Sequence, residues 1–222
     1  TGSVTTLGRA PTDLTPHERR RIGYLPQQPV LFDTLSLWET LQFHASLNGV
    51  GLRRERRLRE MLELVELAGH EKKAVERASG GMQRRLALAA TLLHRPDLVL
   101  LDEPTAGIDP ILRARFWEYF RTLAEAHGTT FIVTTQYVGE AAHCDRVGLL
   151  SSGELLHYSS PEALRREAVG GEEFRVETSR YLTADELDAI GRPPEIATEL
   201  DRTGRRTVSA VVDDAGIAIP AS

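Results

Sequence analysis

The sequence predicts an α/β fold, a mostly parallel sheet flanked by helices, with an inserted helical segment and a small α+β extension at the carboxyl end. Two continuous apolar runs, "LVLL" from Leu98 and "TFIVTT" from Thr130, lie on either side of a helix-like segment. This pattern is typical of parallel strands buried between helices and joined by a crossover. Between residues 36 and 95 the apolar residues recur at helical spacing, which places helices ahead of these strands.

The first part of the chain predicts two strand pieces and then a helix. A short β-prone run lies in residues 3–13, and a second apolar segment, residues 20–32, is interrupted by Pro26 and Pro29. Ser36 and Glu39 have the spacing of a capping box, so we expect a helix of about three turns to begin there. The strands and the helix alternate as an α/β fold requires.

Two further helices follow in the inserted segment. The first, in residues 52–70, ends at Gly69 and carries its arginines on a face that we interpret as solvated. The second follows Ser79 and stops at Arg95 and Pro96. Their apolar stripes are Leu58, Met61, Leu62, Val65 and Ala68 in the first, and Leu86, Ala89, Ala90 and Leu93 in the second.

The carboxyl third of the chain predicts smaller elements. A hairpin-like pair surrounds Ser152 and Gly153, and a short helix opens at Ser160 and Pro161. Residues 170 and 171 are both glycine and predict a linker. Beyond them, "EEFRVETS", a capping box formed by Thr183 and Glu186, and "TVSAVVDDAG" indicate a small α+β appendix.

Composition limits the function classes. The 222 residues are 41% hydrophobic and 27% charged, as in ordinary globular proteins, and the formal net charge of −5 gives no electrostatic reason to expect nucleic acid as a partner. The single cysteine, Cys144, excludes an internal disulfide framework. No apolar run approaches the roughly 18 residues that span a bilayer, so we expect a water-soluble chain. Cys144 and the adjacent His143 have no second pair at metal-ligand spacing, so we expect no zinc site.

Two adjacent carboxylates, Asp102 and Glu103, end the first buried strand. The carboxyl ends of parallel strands border the crevice in which α/β proteins bind ligands. In nucleoside triphosphatases an Asp in this place holds magnesium and an adjacent Glu orients or deprotonates the attacking water. The alternative is that both residues only cap the next helix.

Other polar residues fall at matching places. Ser79, Gly80 and Gly81 precede a helix, where free N–H groups and the positive helix end attract an anion, although such a sequence is often a simple cap. The segment Thr134–Gln136 ends the second buried strand and is expected to line the same crevice. Gln27 follows a strand and could contact magnesium or water, or be an ordinary loop residue.

In chain order, Gln27, "SGGMQRRLALAATLLHRPDLVLLDEPTAGIDP" from Ser79 and "FIVTTQYVGEAAHCDRVGLLSSGEL" from Phe131 resemble the nucleotide-binding subunit of an ABC transporter, which has a P-loop NTPase-like fold. The residue pattern of the last segment is similar to that of the ATPases of daunorubicin-type drug and antibiotic exporters. The resemblance extends from Thr1 to about Glu167 and is most specific over its central segment.

The resemblance implies ATP and Mg²⁺ as cofactors, with Glu103 and Gln136 as catalytic residues and Asp102 and Gln27 as metal contacts. It also implies a boundary at residue 35 after the remnant of the ATPase core and Q-loop. Residues 36–95 would form the helical subdomain. Residues 96–169 would form the ATPase core, which contains the Walker B, D-loop and switch motifs, and residues 170–222 would form an accessory extension. Nucleotide-contacting positions would be Gln27, Ser79, Gly80, Gly81, Met82, Gln83 and Asp109, the last of which could otherwise only cap a helix.

By the same resemblance, the expected partners are a second ATPase subunit in a head-to-tail dimer and a membrane-spanning subunit docked on the surface after Gln27. Such a protein energises export at the inner, cytoplasmic face of the membrane. The chain departs from the family because Gln136 replaces the usual histidine and Met82 stands where glutamine is commoner. It also has no G-x-x-x-x-G-K-[ST] phosphate loop.

Without that loop, we expect the isolated chain not to hydrolyse ATP. A chain shortened at its amino terminus is the favoured explanation, since Thr1 matches the residue just after the helix that follows that loop. Two alternatives stay open: a non-catalytic or regulatory half-site protein, and a soluble ABC-type ATPase of translation or DNA maintenance.

Overall fold

The computed structural model describes residues 2–51, 54–169, 172–177, 201–204 and 207–212, with side chains as far as residue 166. The chain divides into two compact units, residues 1–136 and residues 137–222. Each unit is described by itself.

The first unit is built on a parallel sheet of three strands: β1 (Ile22–Leu25), β2 (Leu98–Asp102) and β3 (Thr130–Thr134), in the order β1-β2-β3. Each strand pairs in parallel with its neighbour, and Asp102 lies opposite Thr134 in the register. The predicted α/β fold with a parallel sheet is therefore confirmed, and all three carboxyl ends meet at one edge.

Helices connect these strands in the predicted order. A short helix α1 (Pro16–Arg19) precedes β1; α2 (Leu37–Leu47), α3 (Glu55–Leu64) and α4 (Gly80–Leu92) separate β1 from β2, and α5 (Pro110–His127) separates β2 from β3. The capping box predicted at the start of α2 is formed, because the Ser36 side chain accepts from the Glu39 N–H and the Glu39 carboxylate accepts from the Ser36 N–H. These hydrogen bonds lower the pKa of Glu39.

One face of the sheet packs on α4 and α5. Val99 is fully buried on this face, and Phe131 of β3, its partner in the register, stacks on Phe120 of α5 with ring centroids 5.0 Å apart. On the opposite face, Tyr24 and Ile132 are 62% and 56% exposed. The sequence predicted strands buried on both faces. At these positions the second face is open to solvent, which local hydrophobicity does not reveal.

Two elements differ from the sequence prediction. Residues 3–13 do not form the predicted strand, because no neighbouring strand in the described part of the chain pairs with this short β-prone run. They contain only an isolated bridge between Thr6 and Arg9 and a single 3₁₀ turn. The helix α3 ends at Leu64 rather than at Gly69. Glu66 then adopts a positive φ of 54°. After it, Leu67 is buried, whereas the predicted core residue Ala68 is exposed.

The second unit contains the predicted hairpin, β4 (Val147–Ser151) and β5 (Glu154–Ser159), and the predicted helix α6 (Pro161–Val169). A three-stranded antiparallel sheet follows, β6 (Glu172–Glu177), β7 (Asp201–Gly204) and β8 (Thr207–Val212), in the order β6-β8-β7. The predicted capping box and the linker at residues 170 and 171 lie outside the described residues. No helix in the described part of the chain is both long and apolar enough to cross a membrane.

Candidate functional site

The carboxyl edge of the parallel sheet brings three of the predicted polar residues together. Asp102 ends β2, and its Oδ1 accepts a hydrogen bond of 2.5 Å from the hydroxyl of Thr134, which ends β3. Glu103 follows, and its N–H donates to the Thr134 carbonyl at 3.0 Å and to the Thr134 hydroxyl at 3.2 Å. The parallel register dictates this meeting, because both strands end at the same level.

Glu103 and Gln136, the two predicted catalytic residues, contact each other. The Gln136 Nε2 donates to the Glu103 Oε1 at 2.6 Å, and the Glu103 side chain is partly exposed. A carboxylate held by an amide donor at the edge of a crevice can orient a water molecule or accept its proton. Gln136 provides a hydrogen bond without a titratable charge.

The predicted anion site lies at the amino end of α4. Ser79 is the N-cap, and its hydroxyl accepts from the Met82 N–H at 3.3 Å. Gly80 and Gly81 are exposed, and a methyl group added to either would meet no atom within 4 Å. A phosphate could therefore approach this helix end closely, where N–H groups and the helix dipole favour an anion.

Met82 and Gln83, also predicted to contact nucleotide, instead contact other residues of this chain. The Gln83 carboxamide donates to the Val75 carbonyl at 2.9 Å and to the Ala78 carbonyl at 3.4 Å. The Met82 sulfur lies 3.7 Å from the Lys73 ammonium. Gln83 thus fixes the segment that leads into α4.

Gln27 and Asp109 occupy loops beside the sheet edge. Gln27 follows β1 and is exposed, and its carbonyl accepts from the guanidinium of Arg84 at 3.0 Å. Asp109 caps α5, its Oδ1 accepting from the N–H groups of Ile111 and Leu112 at 3.1 and 3.0 Å. The helix-capping interpretation of Asp109 is correct, and a role toward a nucleotide stays a prediction.

Arg84 was not identified from the sequence, although it joins two parts of the site. It also donates to the carbonyls of Asp102, at 3.2 Å, and Glu103. Helical spacing provides a signal that could have found it, because Arg84 precedes the buried residues Leu88 and Thr91 by one and two turns. An arginine on that face must direct its guanidinium toward the sheet.

The side chains at the edge suit a hard cation. Asp102 offers a carboxylate and Gln27 an amide oxygen, and magnesium prefers such oxygen ligands, usually one or two from protein together with water and phosphate. No group of three or more His, Cys, Asp or Glu side chains in the described part of the chain could enclose a metal ion. The donor chemistry of Asp102 and Gln27 suits a magnesium ion, and their role as metal contacts stays a prediction.

Residues 1–106, which include Gln27, the amino end of α4 and the carboxylate pair, match the family model described as ABC transporter. This chain contains an ABC transporter ATP-binding domain. The chain is 38% identical over 198 residues to the daunorubicin resistance ATP-binding protein DrrA3 of Streptomyces coeruleorubidus, covering 88% of this chain and 61% of that protein. It is 33% identical over 176 residues to the probable multidrug ABC transporter ATP-binding protein YbhF of Escherichia coli, covering 78% of this chain and 30% of that protein.

The fold of this ABC domain is similar to that of a dimeric ATP-binding cassette in a post-hydrolysis state bound to ADP and Pi. The TM-score is 0.66 at 26% identity, and the match covers 72% of this chain and 74% of that one. The P-loop NTPase-like fold class and the resemblance to drug-exporter ATPases are therefore confirmed. The chain spans less than two thirds of the length of the two curated relatives named above.

Proposed function

We propose that this ABC domain belongs to the ATP-hydrolysing subunit of an exporter, with Glu103 as the general base and Gln136 as its positioning partner. The observation that carries the proposal is the 2.6 Å contact between these side chains beside Asp102 at the carboxyl edge of the sheet. Asp102 and Gln27 would hold Mg²⁺, which supplies charge neutralisation at the phosphates. The chain's own residues would orient water and accept its proton.

The second half of the proposed site is the amino end of α4, offered to the ATP of a second copy in a head-to-tail dimer. Its support is the exposed pair Gly80 and Gly81 after the N-cap Ser79 and the dimeric state of the similar cassette. Each ATP would then contact two subunits, so association and hydrolysis would be coupled.

We further propose that the 222 residues alone do not hydrolyse ATP, because they contain no G-x-x-x-x-G-K-[ST] sequence. That loop provides the N–H nest and lysine that hold the phosphates. The test compares the chain with a loop-bearing fusion, in which the phosphate-loop segment of the daunorubicin relative precedes Thr1. We expect ATP turnover in the fusion only. ATP binding without turnover in the fusion would favour the non-catalytic alternative.

Two substitutions in the loop-bearing fusion test the catalytic assignments. Glu103→Gln keeps the shape of the side chain but removes its basicity, so kcat should fall by about 100-fold or more while ATP binding persists. Gln136→Ala should lower kcat by about 10-fold or more, with a smaller effect on binding. Steady-state kinetics and equilibrium nucleotide binding measure both. Normal turnover in Glu103→Gln, or equal losses of binding and turnover in Gln136→Ala, would contradict the assigned roles.

The proposed contact with a membrane-spanning partner is an apolar patch after Gln27, formed by Val30, Phe32, Phe43 and Leu47. All four are exposed, Val30 at 91%, and the Phe32 and Phe43 rings meet edge to face with centroids 5.2 Å apart. Exposed apolar patches mark interaction sites. Docked there, the domain would lie peripherally on the cytoplasmic face of the membrane.

Charge placed in this patch should prevent docking. We expect Phe32→Asp to abolish co-purification with the proposed membrane-spanning subunit, since burying an unpaired carboxylate is costly. Ile111→Asp is the matched control, because Ile111 is also exposed, at 76%, but lies on α5. Equal recovery of the membrane subunit with both variants would place the docking surface elsewhere.

A further inference from the structure

Arg84 joins α4 to the two loops that border the site. Its Nη1 donates to the carbonyl of Gln27 at 3.0 Å, and its Nη2 donates to the carbonyls of Asp102, at 3.2 Å, and Glu103. One half-buried guanidinium thus binds three main-chain oxygens from two separate segments. A guanidinium can do this because its five donors have a fixed planar geometry.

The main chain of Glu103 needs such support. Its φ is +47°, a left-handed conformation that a residue with a Cβ rarely adopts. On one side its N–H donates to the Thr134 carbonyl and hydroxyl, and on the other side its carbonyl accepts from Arg84. Both peptide groups that flank the side chain are therefore held.

The three hydrogen bonds of Arg84 leave one guanidinium nitrogen unpaired within the described part of the chain. The Nε of Arg84 is buried and has no hydrogen-bond partner among the described residues, and burying an unpaired polar group opposes folding. The guanidinium also binds the carbonyls of Asp102 and Glu103, while their carboxylates engage Thr134 and Gln136. The site keeps its acidic groups available for chemistry while their main chain is fixed.

We infer that Arg84 is a positioning residue, which fixes the main chain of Glu103 and its spacing from the Gln27 loop. The inference rests on the proposed role of Glu103 as the general base. Arg84 follows Ser79 by five residues on α4, about 7.5 Å along the helix axis. The same rigid helix therefore carries both the surface proposed to meet a second copy's ATP and the contact that orients this chain's own base.

The first test uses the 222-residue chain and needs no activity. NMR would measure amide hydrogen exchange at Glu103 and at Ala106, because the Ala106 N–H donates to the Glu103 carbonyl. It would also measure the Cα chemical shift of Glu103, which reports φ. In Arg84→Ala, we expect exchange at Glu103 to accelerate by about 10-fold or more and its Cα shift to move. Exchange at Val99 in β2 should stay unchanged.

Arg85→Ala is the matched control, because Arg85 is the next arginine on α4 and donates to the Val65 carbonyl at 2.9 Å. It should change exchange at Glu103 by less than about 2-fold. Unchanged exchange in Arg84→Ala, or equal effects of both variants, would overturn the inference. If Arg84→Ala does not fold, Arg84→Lys retains the charge but cannot reach three carbonyls, and it should show the same local change.

The second test uses the loop-bearing fusion. Arg84→Ala should lower kcat by about 10-fold or more with the KM for ATP changed by less than about 3-fold, because it misplaces the base without touching nucleotide. A fall in binding alone would overturn the inference. If the unsubstituted fusion does not hydrolyse ATP, the proposed function fails, whereas the exchange experiment still decides the role of Arg84.

Discussion

At the residue scale, the hydroxyl of Thr134 forms hydrogen bonds with both acidic residues of the site. The Thr134 hydroxyl accepts from the Glu103 N–H and donates to the Asp102 carboxylate. It thereby orders the two acidic residues relative to each other. Asp102 and Glu103 were predicted from their place after an apolar run, and Thr134 was expected to line the same crevice. The hydrogen bonds of the hydroxyl could not be predicted, because they depend on the register between β2 and β3.

Substitution of Gly81 should change the stability of the domain and its proposed activity in opposite directions. A methyl group there meets no atom within 4 Å, and alanine is the better helix former, so Gly81→Ala should raise the free energy of unfolding by about 0.5–1 kcal/mol. The same methyl group would obstruct a phosphate approaching α4 from a second copy. Urea unfolding of the chain should show the gain, and turnover of the loop-bearing fusion should fall. Unimpaired turnover would contradict the proposed contact.

At the element scale, the sheet and α4 approach each other closely at Gly23. A Cβ at this position would lie 3.0 Å from the Pro96 ring, from the Thr91 methyl group and from the Thr91 carbonyl. The glycine therefore sets the distance between β1 and α4, the helix that also carries Arg84. Sequence patterns predicted both elements but not this distance, since the contacting residues are far apart in the chain.

Gly23→Ala should lower the free energy of unfolding by about 1–3 kcal/mol, because a backbone carbonyl and a packed ring cannot both move aside cheaply. Urea denaturation at neutral pH measures the change. Gly51→Ala is the control, since a methyl group at Gly51 meets no atom within 4 Å. Equal stability of Gly23→Ala and the parent chain would show that β1 and α4 can separate without cost.

At the scale of the whole molecule, two half-buried histidines make stability depend on pH. Burial lowers the pKa values of His44 and His94, and the nearby His44 charge contributes to lowering that of His94. Below about pH 6.5, the ordinary histidine pKa, the unfolded chain therefore binds more protons than the folded one. The stability that the two neutral histidines contribute above this pH is lost as the pH falls through their lowered pKa values in the folded chain.

We expect the urea concentration at the unfolding midpoint to decrease when the pH is lowered from 7.5 to 5.5. His94→Gln, which stays neutral throughout, should reduce this fall because one of the two titrating groups is removed. His127→Gln is the control, since His127 is exposed at the end of α5. A pH dependence that is unaffected by His94→Gln would assign the loss of stability to other groups.

The sequence by itself determined the α/β order of strands and helices, the capping box at Ser36 and the acidic pair at the end of β2. These features are encoded by apolar periodicity and by residue spacings that are local in the chain. The tertiary structure alone decided that α3 ends at Leu64, that Gln83 binds its own chain and that Arg84 holds Glu103. The contacts of Arg84 join residues separated by 57, 18 and 19 positions. Such contacts arise only when α4 packs on the sheet, and no local pattern records the distance at which it does so.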